Sequence, residues 1–141
     1  LVEKATELGA SRLMPIITRR TQVSRVNPDR LRAIAIEAAE QCERLTVPEI
    51  DQAVPLDRFL AAWPGGRPLL ACIERQDAPL LRTAVPSPPF GILIGPEGGF
   101  APEEVAAMAE RIDVKPVSLG PRILRAETAG LAALAMCLGS A

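Results

Sequence analysis

Short strand-like runs alternate with helix-like stretches along this chain, and that alternation limits its fold more than any other feature. Residues 69–73 and 91–94 are apolar throughout, and 114–119 reads as another strand, with Lys115 and Ser118 among its apolar residues. Apolar runs of four to six residues suit strands covered on both faces. Helices between them supply the crossovers that parallel strands need. The expected class is therefore α/β, a parallel sheet with helices on both faces. The 141 residues suffice for one core, and 48% hydrophobic against 23% charged residues places the chain among globular proteins.

Local signals fill in the order of elements. Residues 1–8 read as the last turns of a helix, with Gly9 after its C-cap. Leu13, Met14, Ile16 and Ile17 mark a short strand over 12–18. Asn27-Pro28 gives an N-cap followed by proline at the first helical position. Leu31, Ile34, Ala35, Ala38, Ala39, Cys42 and Leu45 then recur on one helical face. Residues 55–63 read as a short helix closed by Pro64-Gly65-Gly66, and 84–90, with three prolines, as a loop. Pro102-Glu103-Glu104 opens another helix, and an alanine-rich helix runs over 126–138.

The residue inventory excludes several chemistries. There is no histidine and no tyrosine, which removes histidine acid–base catalysis, histidine-assisted triads and histidine metal sites. Cys42, Cys72 and Cys137 form no CxxC pair, so buried free thiols in a reducing cytoplasm are expected, with no metal. The net charge of −1 rules out a polyanion binder of the histone type but not a local basic patch. The uncharged run 128–141 is 14 residues long, too short to span a bilayer. Glu3, Lys4 and Glu7 leave no signal peptide, and an opening in helix-like sequence without methionine is expected of an excised domain.

Ligands of doubly wound sheets sit beyond the carboxyl ends of strands, and three segments stand out there. The first is Ile94-Gly95-Pro96-Glu97-Gly98-Gly99-Phe100, with three glycines in five residues. Such a loop exposes backbone N–H groups to a ligand, although it also suits a plain tight turn. It is neither a P-loop nor a GxGxxG fingerprint. The second is residues 118–129, which gather Gly120, Pro121, Arg122, Arg125, Glu127 and Thr128 between a strand and a helix. Arg125 and Glu127 could equally be first-turn helix charges. The third is the arginine-rich segment 12–32, where Arg12, Arg19, Arg20, Arg25, Arg30 and Arg32 face a single acid, Asp29. Guanidinium forks suit phosphate, and this clustering points to nucleic acid.

These motifs carry a resemblance. Glu3-Lys4-Ala5-Thr6-Glu7-Leu8-Gly9, Ala38-Ala39-Glu40-Gln41, Val47-Pro48-Glu49, Gly95-Pro96-Glu97-Gly98-Gly99-Phe100 and Ser118-Leu119-Gly120-Pro121-Arg122-Ile123-Leu124-Arg125-Ala126-Glu127-Thr128-Ala129 stand in the order seen in bacterial 16S ribosomal RNA (uracil-N3) methyltransferases of the SPOUT class. The chain resembles that family over residues 1–141, as its catalytic domain without the family's N-terminal RNA-gripping barrel. It departs at Cys42-Glu43-Arg44, where the family usually has a small residue and a glycine before the arginine.

The resemblance implies a C-terminal trefoil knot, S-adenosyl-L-methionine as methyl donor, a uridine N3 of 16S ribosomal RNA in the small subunit as target, and a homodimer in the cytoplasm. It makes Leu70, Ile94, Gly95, Pro96, Glu97, Gly98, Gly99, Leu119, Gly120, Ile123, Leu124, Ala126 and Thr128 the expected cofactor contacts. Arg12, Arg19, Arg20, Arg25 and Arg122 are the expected RNA contacts. Methyl transfer to uracil N3 profits from a base and from a cation beside the developing anion. Glu127 or Glu97 is the candidate base, and Arg125 or Arg122 the candidate cation. Leu131, Leu134 and Leu138 are expected to form the packing face of the last helix, whose slim remainder would meet a second subunit. The partner's arginine segment would then lie near the glycine loop. Two rival readings stand beside this one: a knotted module that binds RNA or a nucleotide without catalysis, and an enzyme of this class with another RNA target.

Overall fold

The computed structural model describes residues 1–22 and 25–138, so the last three residues of the run 128–141 lie outside the described residues. The elements follow in the order α1 (Val2–Glu7), β1 (Arg12–Leu13), β2 (Ile16–Ile17), α2 (Pro28–Gln41), β3 (Glu49–Ile50), β4 (Val54–Pro55), α3 (Leu56–Ala62), β5 (Leu69–Cys72), α4 (Leu81–Ala84), β6 (Gly91–Ile94), α5 (Pro102–Ala109), β7 (Val114–Val117) and α6 (Ala126–Leu138). All described strand pairs are parallel. β5 lies between β6 and β7, β1 pairs with β3, and β2 with β4.

The alternation of side chains along β5 divides the core in two. Leu69 and Ala71 pack with Leu93, Val114, α3 residues Leu56, Phe59 and Leu60, and Met108 of α5. Leu70 and Cys72 belong to the other face, with Ile92, Ile94, Val117, Leu81 of α4 and Ala133 of α6. A strand with apolar residues at every position can only be stable between two such layers. The α/β class with helices on both faces is thus observed.

Several details differ from expectation. The strand over 12–18 is interrupted at Met14-Pro15, because a proline has no N–H for the ladder. The pairs made by β3 and β4, and the short α4, carry too few residues to show a period. On α2, Ala35, Ala38 and Ala39 are buried, but Cys42 is exposed and Leu45 lies wholly in solvent. The helix ends at Gln41, so those two positions never complete the face. On α6 the small residues Ala129, Gly130 and Ala133 are buried, whereas Leu138 is exposed. Alanine and glycine face inward there because they let the helix approach α1, α4 and β6 closely.

The end of α2 also explains the departure at residues 42–44. Glu43 has φ 58°, with its N–H bonded to Glu40 O (3.3 Å), while Arg44 N–H reaches Ala39 O (2.9 Å). That is the bonding pattern of a Schellman cap, whose left-handed position favours glycine. Arg44 then donates from one guanidinium nitrogen to Thr6 O (2.5 Å) and Ala10 O (3.0 Å), closing the end of α1. Arg44 thus acts as an internal clamp between α2 and the end of α1. Glu43→Gly is expected to stabilise the chain by about 1 kcal/mol, since glycine relieves the left-handed strain. Urea unfolding at constant slope would check it.

Candidate cofactor cavity

The carboxyl ends of β5, β6 and β7 converge on a cavity of about 530 Å³, within the size range of small-molecule sites. Its walls come from three loops. The glycine loop after β6 contributes Ile94, Gly95, Pro96, Gly99 and Phe100. The loop after β7 contributes Leu119, Gly120, Arg122, Ile123, Leu124 and the start of α6 at Ala126. The third loop follows β5 and supplies Cys72 to Ala78, including Glu74, Arg75, Gln76 and Asp77.

The backbone conformations show why glycines stand at these ends. Gly99 N–H closes a tight turn on Pro96 O (2.8 Å) with φ 69°, and Gly120 has φ 112°. Gly95 is needed for space instead. A Cβ on it would fall 2.9 Å from the ring of Phe100, which is buried in the core. The lining thus joins apolar walls and exposed backbone with charges of both signs.

Nine of the expected cofactor contacts are brought together here: Ile94, Gly95, Pro96, Gly99, Leu119, Gly120, Ile123, Leu124 and Ala126. Leu70 is not at the wall; it is buried in the sheet. Glu97, Gly98 and Thr128 are exposed and outside the lining. A substitution at Gly98 therefore addresses the outside of the loop, and Gly95 is the position that reports on the cavity. The β5 loop was missed from sequence. Its signal was a run of four polar residues directly after the apolar stretch 69–73, at the end of the central strand.

The candidate catalytic and RNA-contact residues separate. Arg122 lines the cavity, and Arg125 is exposed just beyond it. Glu127 lies on the first turn of α6, exposed and outside the lining. Arg12 is held by Asp51 at 3.0 Å and lies 3.7 Å from Glu49, which neutralise its charge. Arg25 is exposed. Arg19 and Arg20 form a turn against the glycine loop of the same chain, where Arg20 donates to Gly98 O at 2.8 Å. Within one chain the arginine segment therefore meets the loop through Arg20.

Burial within the sheet and the nearby Cys137 push the Cys72 thiol up to about 12. Cys72 is then unreactive at pH 8, whereas exposed Cys42 should alkylate first. Mass spectrometry after iodoacetamide would show that order. The folded state keeps the Cys72 proton where the unfolded thiol, near 9, has lost it. Stability should accordingly fall as pH rises from about 9 toward 12.

Comparison with known proteins shows the family. A family model described as an RNA methyltransferase domain matches residues 1–138. The chain belongs to this RNA methyltransferase family. The ribosomal RNA small subunit methyltransferase E of Rickettsia conorii is 38% identical over 136 residues, covering 95% of this chain and 56% of that protein. The protein of the same name from Synechocystis is 37% identical, covering 96% and 46% respectively. A Neisseria gonorrhoeae ribosomal RNA small subunit methyltransferase E, solved bound to S-adenosyl methionine, matches with a TM-score of 0.84 and 34% identity, covering 95% of this chain and 56% of that one. A Legionella pneumophila protein solved in complex with the cofactor SAM gives 0.87 at 34% identity, covering 99% and 59%. The family resemblance drawn from the motifs is thereby borne out. The chain spans about half the length of the curated relatives it matches.

Proposed function

We propose that this chain is the S-adenosylmethionine-binding domain of a methyltransferase acting on uridine N3 of 16S ribosomal RNA. The observation that carries the reading is the cavity itself, walled by the two motif loops at the ends of β6 and β7, on either side of β5. Family membership and the cofactor-bound relatives support it. The residues fit such a ligand. Ile94, Pro96, Leu119 and Leu124 offer an apolar slot, Gly99 and Gly120 leave room beside backbone, and Glu74 and Asp77 offer carboxylates to a cationic molecule.

When bound, the cofactor supplies an electrophilic methyl group. The chain's task is to hold the acceptor nitrogen in line and to exclude water, which needs neither metal nor histidine. Arg122, on the wall, is the better placed of the two candidate cations to stabilise charge on the uracil oxygens. Glu97 and Glu127 remain candidate bases. Glu74 joins them because it is on the wall. Exposed Arg25, with Arg19 and Arg122, would face RNA phosphates.

The same reading includes a homodimer, a knotted C-terminus and a cytoplasmic location. Leu138 and Ala135 leave an exposed apolar strip on α6, which bears no charge after Glu127 in the described residues. Ala133 is fully buried, so Ala135→Arg is the variant that tests the dimer. Sedimentation should show a wild-type dimer and a monomeric variant. At the end of β7, Ser118 N–H bonds to Pro79 O and Leu81 N–H to Ser118 O, both at 2.9 Å, and α6 packs on α4. No described helix is long and apolar enough to cross a membrane, which accords with a cytoplasmic enzyme.

The deciding experiment combines calorimetric titration of S-adenosylmethionine with transfer of labelled methyl to 16S ribosomal RNA. Binding with transfer to a uridine N3 is expected. A folded chain that binds no cofactor would support the non-catalytic module instead. Transfer only to another RNA would overturn the target.

A further inference from the structure

We propose that Arg20 is a positioning residue that braces the glycine loop for its ligand. This deepens the cofactor reading and rests on it. A loop with three glycines has wide conformational freedom and no side chains at those positions to fix it. Within residues 95–100 the turn bond from Gly99 N–H to Pro96 O constrains one side only. The carbonyl of Gly98, on the outer crest, accepts the Arg20 guanidinium at 2.8 Å across 78 residues of sequence. The stem follows the same path. A Cβ on Gly98 would sit 3.3 Å from Arg20 Cβ and 3.4 Å from its Cδ, so the alkyl chain lies across the glycine's α-carbon.

The brace is itself anchored to the exit of the loop. Arg19 N–H donates to one oxygen of buried Glu104 (2.8 Å), and Ala101 N–H donates to the other (2.8 Å). The turn that presents Arg20 is closed by Thr18 N–H to Thr21 Oγ1 (2.8 Å) and by contact of the two hydroxyls at 2.9 Å. With its backbone held on both sides, Arg20 gives up little freedom in reaching Gly98. Arg20 is absent from the cavity wall, yet the wall residues Pro96 and Gly99 flank the segment it holds. An arginine spent on RNA phosphate would behave differently: its loss would weaken RNA binding and leave cofactor affinity alone.

The test compares the wild-type chain with Arg20→Ala and Arg20→Lys. Titration with S-adenosylmethionine in the absence of RNA should show roughly tenfold weaker binding for Arg20→Ala, the scale of one charge-assisted hydrogen bond. Arg20→Lys, which keeps a donor, should recover most of it. Hydrogen exchange of the Gly98, Gly99 and Phe100 amides in the ligand-free chain should quicken by roughly tenfold in Arg20→Ala. Unchanged exchange overturns the brace, and so does unchanged cofactor affinity beside weakened RNA binding. A wild-type chain that binds no S-adenosylmethionine refutes the cofactor reading, and the exchange comparison then decides the brace alone.

Discussion

Glu104→Ala is expected to lower stability by roughly 3–5 kcal/mol, the largest effect of any single polar substitution proposed for this chain. The carboxylate is buried and accepts two backbone N–H groups from different parts of the fold, Arg19 on the arginine turn and Ala101 at the start of α5. Alanine would strand both donors, one of them fully buried. Each stranded donor costs its desolvation as well as the bond. Glu104→Gln keeps one acceptor and should show about half the loss. Its neighbour Glu103 is a useful control. It is exposed and sits 3.9 Å from the Arg19 guanidinium, so Glu103→Ala should change stability by under about 0.5 kcal/mol. Thermal melts would resolve the three variants, because a loss of this size moves the midpoint by roughly 10 °C in a domain of this length. Equal melts for Glu104→Ala and Glu103→Ala would refute the bridging role.

Gly95→Val should abolish cofactor binding, with affinity falling by more than about 100-fold. Gly95 has an ordinary backbone conformation, so strain in φ is not the cause. The obstacle is Phe100, which lies against the α-carbon and packs with Leu69, Leu93 and Met108. Phe100 cannot swing aside without opening a void in the core, so the loop must move instead. Gly99 and Pro96 move with it, and both are cavity wall. Overpacking of this kind costs roughly 1–3 kcal/mol of stability, which the fold should survive. Gly65→Val is the matched control, because a Cβ there meets nothing within 4 Å. Calorimetry and circular dichroism on the two variants would separate lost binding from lost structure. Retained affinity in Gly95→Val would remove the cavity from its assigned role.

The sequence by itself determined what depends on local order. The apolar stretches at 69–73 and 91–94 became β5 and β6 because a strand without polar positions is stable only under two layers of helix. Asn27 became an N-cap because its side-chain oxygen reaches the N–H groups of Asp29 and Arg30 from the adjacent turn. The motif loops were legible for the same reason: their glycines mark the positive φ at Gly99 and Gly120 and the close approach at Gly95.

Only the tertiary structure decided which loops share a cavity and which charges are already used. The two-residue strands β1 to β4 show no period and exist through pairing alone. The polar run 74–77 joins the site because parallel pairing places the end of β5 between those of β6 and β7. Arg12 and Arg20 look alike in a list of basic residues. One is neutralised by Asp51, 39 residues away, and the other holds Gly98, 78 residues away. Glu104 reaches Arg19 across 85 residues. Such partners depend on where the chain returns in space, and hydrophobic periodicity carries no information about that.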